Sequence, residues 1–367
     1  MEKGGSMDGN FASTIADAVA DAAKQMGHVN ILIAGRSGVG KSTLVNAIFH
    51  EDLAETGQGR PVTKETKEIT KEGMPVSIFD TRGLEMADYK STIGALTDFI
   101  QARKNEVDPT KHIHVAWICV MEDGRRVEPA EVELHAALSK VVPVIGVITK
   151  HRSDQGFKKE VEGLLPECRN VVQVRAIKEE LDDDVVLQPK GLSTLVEVTI
   201  GAIPEGAKRA FASAQKADLN TKKSEARKII MAAATASGAA GVSPIPFSDA
   251  MIIAPVQIGM IAKITSIFGV NLTNSMLTSL VSSAVGVAGA SFLGRTLVSN
   301  LIKFIPGVGT AAGAAISGTT AVALTSALGE AYLAAMVAIF TDDPDASPTG
   351  EEIGTRFKNA MRDMLKK

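Results

Sequence analysis

The run Gly35-Arg36-Ser37-Gly38-Val39-Gly40-Lys41-Ser42 constrains this chain more than any other feature, because it fits GxxxxGK[ST] between an apolar strand-like run, VNILIA, and a helix-like opening, STLVNAIF. That setting is what a phosphate-cradling loop requires. Glycines let the backbone fold into a nest of amides, and the following helix N-terminus adds partial positive charge. The backbone at Gly35, Ser37, Gly38, Val39, Gly40 and Thr43 is therefore expected to face an anion, with Lys41 reaching its outer oxygens and the Ser42 hydroxyl meeting Mg²⁺.

The surrounding pattern supports the same fold class. VNILIAG, PVSIFD, HVAWICVM, VVPVIGVIT and VVQVRA are short apolar runs separated by helix-like stretches at Ser42–Phe49, Ser91–Ala102, Pro129–Leu138 and Gln155–Leu165. Strands alternating with helices predict an α/β domain with a mostly parallel sheet. Its strand PVSIFD closes as Ile78-Phe79-Asp80-Thr81-Arg82-Gly83, a DxxG form in which Asp80 suits a Mg²⁺ shell and the Gly83 amide suits a terminal phosphate. Between the two motifs, Gly57 to Thr66 forms a polar loop before a strand. Thr63 is the threonine expected to complete the Mg²⁺ shell there, with Thr66 as second choice.

These motifs resemble the Ras-like GTPase superfamily, and within it the ribosome-binding Era-type class and the immunity-related GTPases, over roughly Val29 to Ile203. The resemblance implies GTP and GDP as ligands, Mg²⁺ as cofactor and Lys41, Thr63, Asp80 and Gly83 as the hydrolytic set. It also implies a guanine-reading [NT]KxD after the strand ending Val147-Ile148. Thr149 and Lys150 match, but Arg152 stands where the Asp belongs and Asp154 comes two positions late. The Ala176 amide, in Val174-Arg175-Ala176, is the candidate for a later base contact. After DxxG the residue is Leu84, where related enzymes place a water-orienting Gln. This likens the chain to members that hydrolyse slowly alone and are stimulated across a nucleotide-dependent homodimer, with Arg36, Arg60 and Arg82 as charge-stabilising candidates or plain surface arginines.

At 367 residues the chain is too long for one ordinary core. The expected division is a leader helix over 1–28, a nucleotide domain over 29–205, a basic linker helix over 206–228, an apolar helical domain over 229–340 and an amphipathic basic tail over 341–367. Between Ile229 and Phe340 the charged residues are only Asp249, Lys263, Arg295, Lys303 and Glu330. The uncharged runs Ile264–Gly294 and Phe304–Gly329 exceed the roughly 20 residues of a membrane span. Two readings stay open: a tightly packed bundle of small residues, or helices entering a bilayer, with Gly309 to Gly313 offering a GxxxG contact. The region from roughly Lys223 to Val337 resembles a helical domain of uncharacterised function that follows the nucleotide domain in a group of bacterial GTPases.

Charge and cysteine content narrow the rest. With 39 Lys+Arg against 42 Asp+Glu, a formal net charge of -3 argues against a nucleic-acid partner. Two cysteines exclude a disulfide scaffold. The opening MEKGGSMDGNFASTIADA lacks the apolar core of a secretory signal, so the expected location is cytoplasmic, peripheral or integral at the inner face of a membrane. His112 and His114 are expected to be strand-end histidines, Cys119 an inert buried thiol and Asp182-Asp183-Asp184 a solvated loop. The functional expectation is a slow GTPase switch coupled to the apolar half. The alternative is a non-catalytic nucleotide-binding scaffold.

Overall fold

The computed structural model describes residues 5–50, 53, 58–61, 66–81, 89–181, 185–240, 248–285 and 318–364. Two compact units make up the chain: Gly27–Thr221, and a second composed of Met1–Met26 with Lys222–Lys367.

The first unit is a sheet with flanking helices, as expected. Its strands are β1 (Val29–Ala34), β2 (Gln58–Pro61), β3 (Thr66–Thr70), β4 (Val76–Thr81), β5 (Val115–Met121), β6 (Val144–Thr149) and β7 (Val171–Gln173), in the spatial order β2-β3-β4-β1-β5-β6-β7. β4, β1, β5, β6 and β7 pair in parallel, while β2 and β3 are antiparallel additions at one edge. All six residues of β1 and of β6 are buried, which is why they read in sequence as continuous apolar runs. The chain leaves β1 for the edge strand β2, returns through β3 to β4 beside β1, then crosses to β5 on the other side of β1. The carboxyl end of β1 is therefore the point where strand order reverses, the usual place for a ligand crevice in an open α/β sheet.

The expected basic linker helix over 206–228 is not one helix. Glu205–Ala214 and Leu219–Ala240 are separate, joined by a turn in which Asp218 N donates to Gln215 Oε1 at 2.8 Å and Gln215 Nε2 donates to Asp218 O at 2.8 Å. Helix Glu205–Ala214 buries Ala207, Ala210, Phe211 and Ala214 in the core that holds β1, β4 and β5, so it belongs to the α/β unit. Phe211 sits edge-on to Phe49 with ring centroids 6.0 Å apart, and Phe49 stacks on Trp117 at 6.2 Å.

In the second unit the leader helix Gly5–Met26 buries Ile15, Ala18 and Ala22 and pairs Asp21 with Lys263 at 2.7 Å. Its packing partner is thus the C-terminal region. Ile264–Gly294 does not form one continuous span: helix Ser248–Ile267 gives way to a turn at Gly269, which has φ 80, and the next helix starts at Asn274. The Gly309–Gly313 contact lies outside the described residues. Helix Gly318–Asp342 is long and apolar enough to cross a membrane, and 56% of its most apolar window is buried within the protein. Small residues bring these helices close. A Cβ placed on Gly329 would lie 2.7 Å from Ile230 Cγ1, so packing at that crossing requires glycine. The tail helix Gly350–Met364 buries Ile353 and Phe357, the latter edge-on to Tyr332 at 5.8 Å.

Several polar side chains inside this unit meet one another. Gln257 Nε2 donates to Thr325 Oγ1 at 3.1 Å, which donates to Ser237 Oγ at 3.0 Å, and Thr265 Oγ1 meets Tyr332 OH at 2.7 Å. Lys222, which falls within the expected basic linker helix, is fully buried, donating to Ile267 O at 3.1 Å and lying 5.9 Å from the Phe268 ring centroid. Burial pushes its ammonium down to about 7 from 10.5. Over that window the unfolded chain binds the extra proton, so the stability of the folded unit rises from pH 7 upward and is lost as pH falls toward 7. Lys222→Met is expected to stabilise the protein at pH 7 by about 1 to 4 kcal/mol. Thermal denaturation at pH 7 and pH 9 checks this: the gain at pH 9 should shrink in the variant.

Candidate functional site

The first site residues lie in the turn from β1 into helix Lys41–Ile48. Gly35, at the end of β1, has φ 150, and a Cβ there would lie 2.6 Å from Cys119 O, so no larger residue fits against β5. Gly40 precedes the helix with φ 98, a left-handed conformation open to glycine at low cost. Ser37 and Gly38 are exposed at the loop tip, whereas Val39 is buried and anchors it. Helix Lys41–Ile48 buries Leu44, Val45 and Ile48 and leaves Ser42 and Thr43 exposed in its first turn.

Lys41 folds back over the loop. Its Nζ donates to Gly35 O at 2.8 Å and Arg36 O at 3.2 Å, and lies 3.8 Å from Asp80 Oδ1 at the end of β4. Sequence reasoning placed Lys41, Ser42 and Asp80 in one site, and the sheet brings them together because β1 and β4 are paired neighbours, with Ile33 opposite Asp80. Thr63 and Gly83 lie outside the described residues, as do Arg82, Leu84 and the aspartates 182–184. Thr66, the second choice for the Mg²⁺ shell, is a strand residue paired with Thr81 and only 4% exposed. It lines the sheet and is not a loop ligand. Arg60 is in β2, and Arg36 pairs with Glu128 at 3.1 Å.

On the other side of the loop, Thr149 at the end of β6 donates through Oγ1 to Val39 O at 2.6 Å, joining the second candidate motif to the first. Lys150 follows with φ 54 and stays exposed, its Nζ 3.2 Å from Met121 Sδ. A residue missed in the sequence organises this segment. Glu122, just past β5, is 3% exposed; His151 Nδ1 lies 2.7 Å from its Oε1, and Ser153 N donates to its Oε2 at 3.0 Å. Burial works against its charge, but the Arg152 and Ser153 amides and the His151 ring outweigh it and hold the Glu122 carboxyl below the ordinary glutamate range. The available signal was a carboxylate directly after a fully apolar strand. Ala176 is half-buried in the segment beyond β7.

The set-aside residues have structural roles. His114 Nδ1 accepts from Asn30 N at 2.9 Å, and burial depresses its ring to about 4. Burial lifts the Cys119 thiol to about 12, leaving it without thiolate character at neutral pH. No group of three metal-ligating side chains of the His, Cys, Asp and Glu type occurs among the described residues.

Residues 30–150 match the family described as 50S ribosome-binding GTPase. The α/β unit carries a P-loop GTPase domain. Residues 206–361 match DUF697, a domain of unknown function, whose first residues form the helix that packs into the GTPase core. Similar proteins include neuronal-specific septin-3 of Rattus norvegicus, 27% identical over 42% of this chain and 51% of that protein. Septin-1 of Drosophila melanogaster is 29% identical over 40% and 46%, and septin-9 of Homo sapiens 29% over 35% and 26%. The chain thus spans about half or less of the length of these relatives. The crystal structure of a probable GTP-binding protein, engB, covers 48% of this chain and 98% of its own at 16% identity and a TM-score of 0.31.

Within this domain, the residues expected at a guanine-reading position have other partners. Arg152 holds Glu179 through Nε at 2.9 and 3.0 Å and through a further short contact from its terminal nitrogen. Asp154 Oδ1 accepts from Lys158 N at 2.8 Å and Gln173 Nε2 at 2.6 Å, so it caps helix Phe157–Leu164.

Proposed function

We propose that this protein is a GTP-dependent switch that binds GTP and GDP with Mg²⁺, hydrolyses GTP slowly, and couples nucleotide state to its helical unit. The observation that carries this reading is Lys41 closing over the Gly35–Ser42 loop beside Asp80. A single cation held against backbone carbonyls and a carboxylate is poised to exchange those partners for phosphate oxygens.

The oxygen donors fit a hard divalent cation: the Ser42 hydroxyl is exposed in the first turn, and the Asp80 carboxylate lies at the neighbouring strand end. When bound, Mg²⁺ neutralises charge developing on the phosphates. In this reading the amides of Ser37 to Thr43 orient the phosphates, Lys41 offsets their charge, and Thr63 and Gly83 sense the terminal phosphate. Leu84 offers no hydrogen bond to an attacking water, which supports a low basal rate and stimulation by a second copy or another partner.

For the helical unit the proposed partner is an anionic membrane surface on the cytoplasmic side. Support comes from the exposed Met231, Val322 and Met364 and from Lys358 and Arg362, exposed on the tail helix. Each basic residue near such a surface contributes about 1 kcal/mol. Because Ile353 and Phe357 are buried, the tail's apolar face must be released before it enters lipid.

Two measurements test the reading on full-length protein. Phosphate release should be slow and its specific rate should rise with protein concentration; a fast rate strictly proportional to protein removes dimer-assisted hydrolysis, and no release at all favours the non-catalytic scaffold. Co-sedimentation with phosphatidylserine vesicles should be stronger with a non-hydrolysable GTP analogue than with GDP. Protein staying in the supernatant with both nucleotides removes the membrane coupling.

A further inference from the structure

We infer that the guanine base is read by Glu179, a carboxylate from the segment after β7, in place of the residue that Arg152 displaces. This rests on the GTP-binding reading above. Guanine presents N1–H and N2–H donors on one edge, and a carboxylate is the side chain that accepts both. Arg152 offers only donors and cannot fill that role.

Four carboxylates lie close to this segment, and their contacts separate them. Glu122 is buried beneath the chain and taken up by His151, Arg152 and Ser153. Asp154 is bound to the first turn of its own helix and to Gln173. Asp123 is exposed on the turn after β5 and acts on Arg152 through space. Glu179 is held by the side chain of Arg152 and, unlike buried Glu122, keeps 28% of its side-chain surface accessible.

Its location matches the role. The segment after β6 and the segment after β7 leave the carboxyl ends of adjacent parallel strands, and Arg175 joins them by donating through Nε to His151 O at 2.9 Å. Thr149 fixes the first of these segments to the phosphate loop through Val39. A nucleotide whose phosphates lie in that loop directs its base toward this pair of segments, where Arg152 and Glu179 meet. A carboxylate has about four lone-pair sites, so Glu179 can accept from the base edge while Arg152 keeps the remaining sites. Arg152 is then a positioning residue that keeps Glu179 ionised and oriented. The two-residue offset of Asp154 is no longer a defect in this arrangement, because the reading carboxylate arrives from another segment.

Titration calorimetry of full-length protein with GDP, XDP and ADP, each with Mg²⁺, tests the assignment. Wild type should prefer GDP to both. Xanthine carries a carbonyl where guanine carries the C2 amino group, so Glu179→Gln, which supplies an amide donor, should shift the GDP/XDP preference toward XDP by at least about tenfold. A purely structural role for Glu179 would weaken both nucleotides alike. Adding Arg152→Asp to Glu179→Gln should return the preference to GDP, and Asp123→Asn should leave it unchanged. Wild type that binds GDP while Glu179→Gln keeps the same GDP/XDP ratio overturns the assignment and leaves the GTPase reading intact. Equal wild-type affinity for GDP and ADP overturns it as well. Absence of any nucleotide binding removes both proposals together.

Discussion

Lys41→Ala is expected to weaken GDP binding by about 100-fold or more, corresponding to a loss of roughly 3 kcal/mol for a charge-assisted contact with phosphate. The size of the effect follows from the position of Lys41. Its side chain is only 12% accessible, and it neutralises the centre of a loop that otherwise presents Gly35 O, Arg36 O and the Asp80 carboxylate to the same space. Truncation removes the cation that lies beside Asp80 and leaves that carboxylate facing the incoming phosphates. Titration calorimetry on the full-length protein measures it, and GDP affinity within about threefold of wild type would show that the loop does not hold phosphate through Lys41. Ser42→Ala should act differently. It removes an exposed hydroxyl with no core role, so affinity measured without Mg²⁺ should change little while the gain on adding Mg²⁺ should fall.

Phe211→Ala is expected to destabilise the GTPase unit by about 3 to 5 kcal/mol, the range for emptying a buried aromatic site. Phe211 is fully buried and stands at the end of an aromatic row with Phe49 and Trp117, and Phe49 immediately follows the helix that starts at the phosphate loop. Lys216 N also donates to Ile48 O at 2.8 Å, tying the chain after Phe211 to the same helix end. The variant should therefore lower the first denaturant midpoint and weaken nucleotide binding with it. An unchanged midpoint would mean that Glu205–Ala214 is dispensable to this unit. By the same argument, a chain truncated after Ile203 should fail to fold, whereas one ending at Thr221 keeps the complete core.

The Gly35–Ser42 loop between strand and helix was legible in the residues because it is local. Eight consecutive positions carry its chemistry, and the strand before and helix after them fix which way the amides point. β1, β5 and β6 were equally legible, since a strand covered on both faces needs an uninterrupted apolar run and few other structures do. Asp80 could be assigned to the same site because a strand that ends in DxxG has few other places to go once β1 is in the sheet.

What the sequence left open depends on partners distant along the chain. β2 is the polar tetrapeptide Gln58–Pro61, which carries no periodic signal and becomes a strand only because the edge of β3 is there to pair with. Glu205–Ala214 sets Lys208 and Arg209 among alanines, and nothing in that spacing reveals that Phe211 meets Phe49. Lys222 sits among basic residues and looks solvated, yet helix packing carries it to the Ile267 carbonyl. The leader helix finds its salt bridge with Lys263 across more than half the sequence. The expected guanine-reading motif departs from its pattern in sequence, because Arg152 stands where a carboxylate was expected. Only the tertiary structure sets Glu179 beside Arg152, since two segments separated in sequence become neighbours when their strands pair. Local conformational preference and burial write themselves into consecutive residues, whereas contacts closed by long loops leave no periodic trace until the whole core has formed.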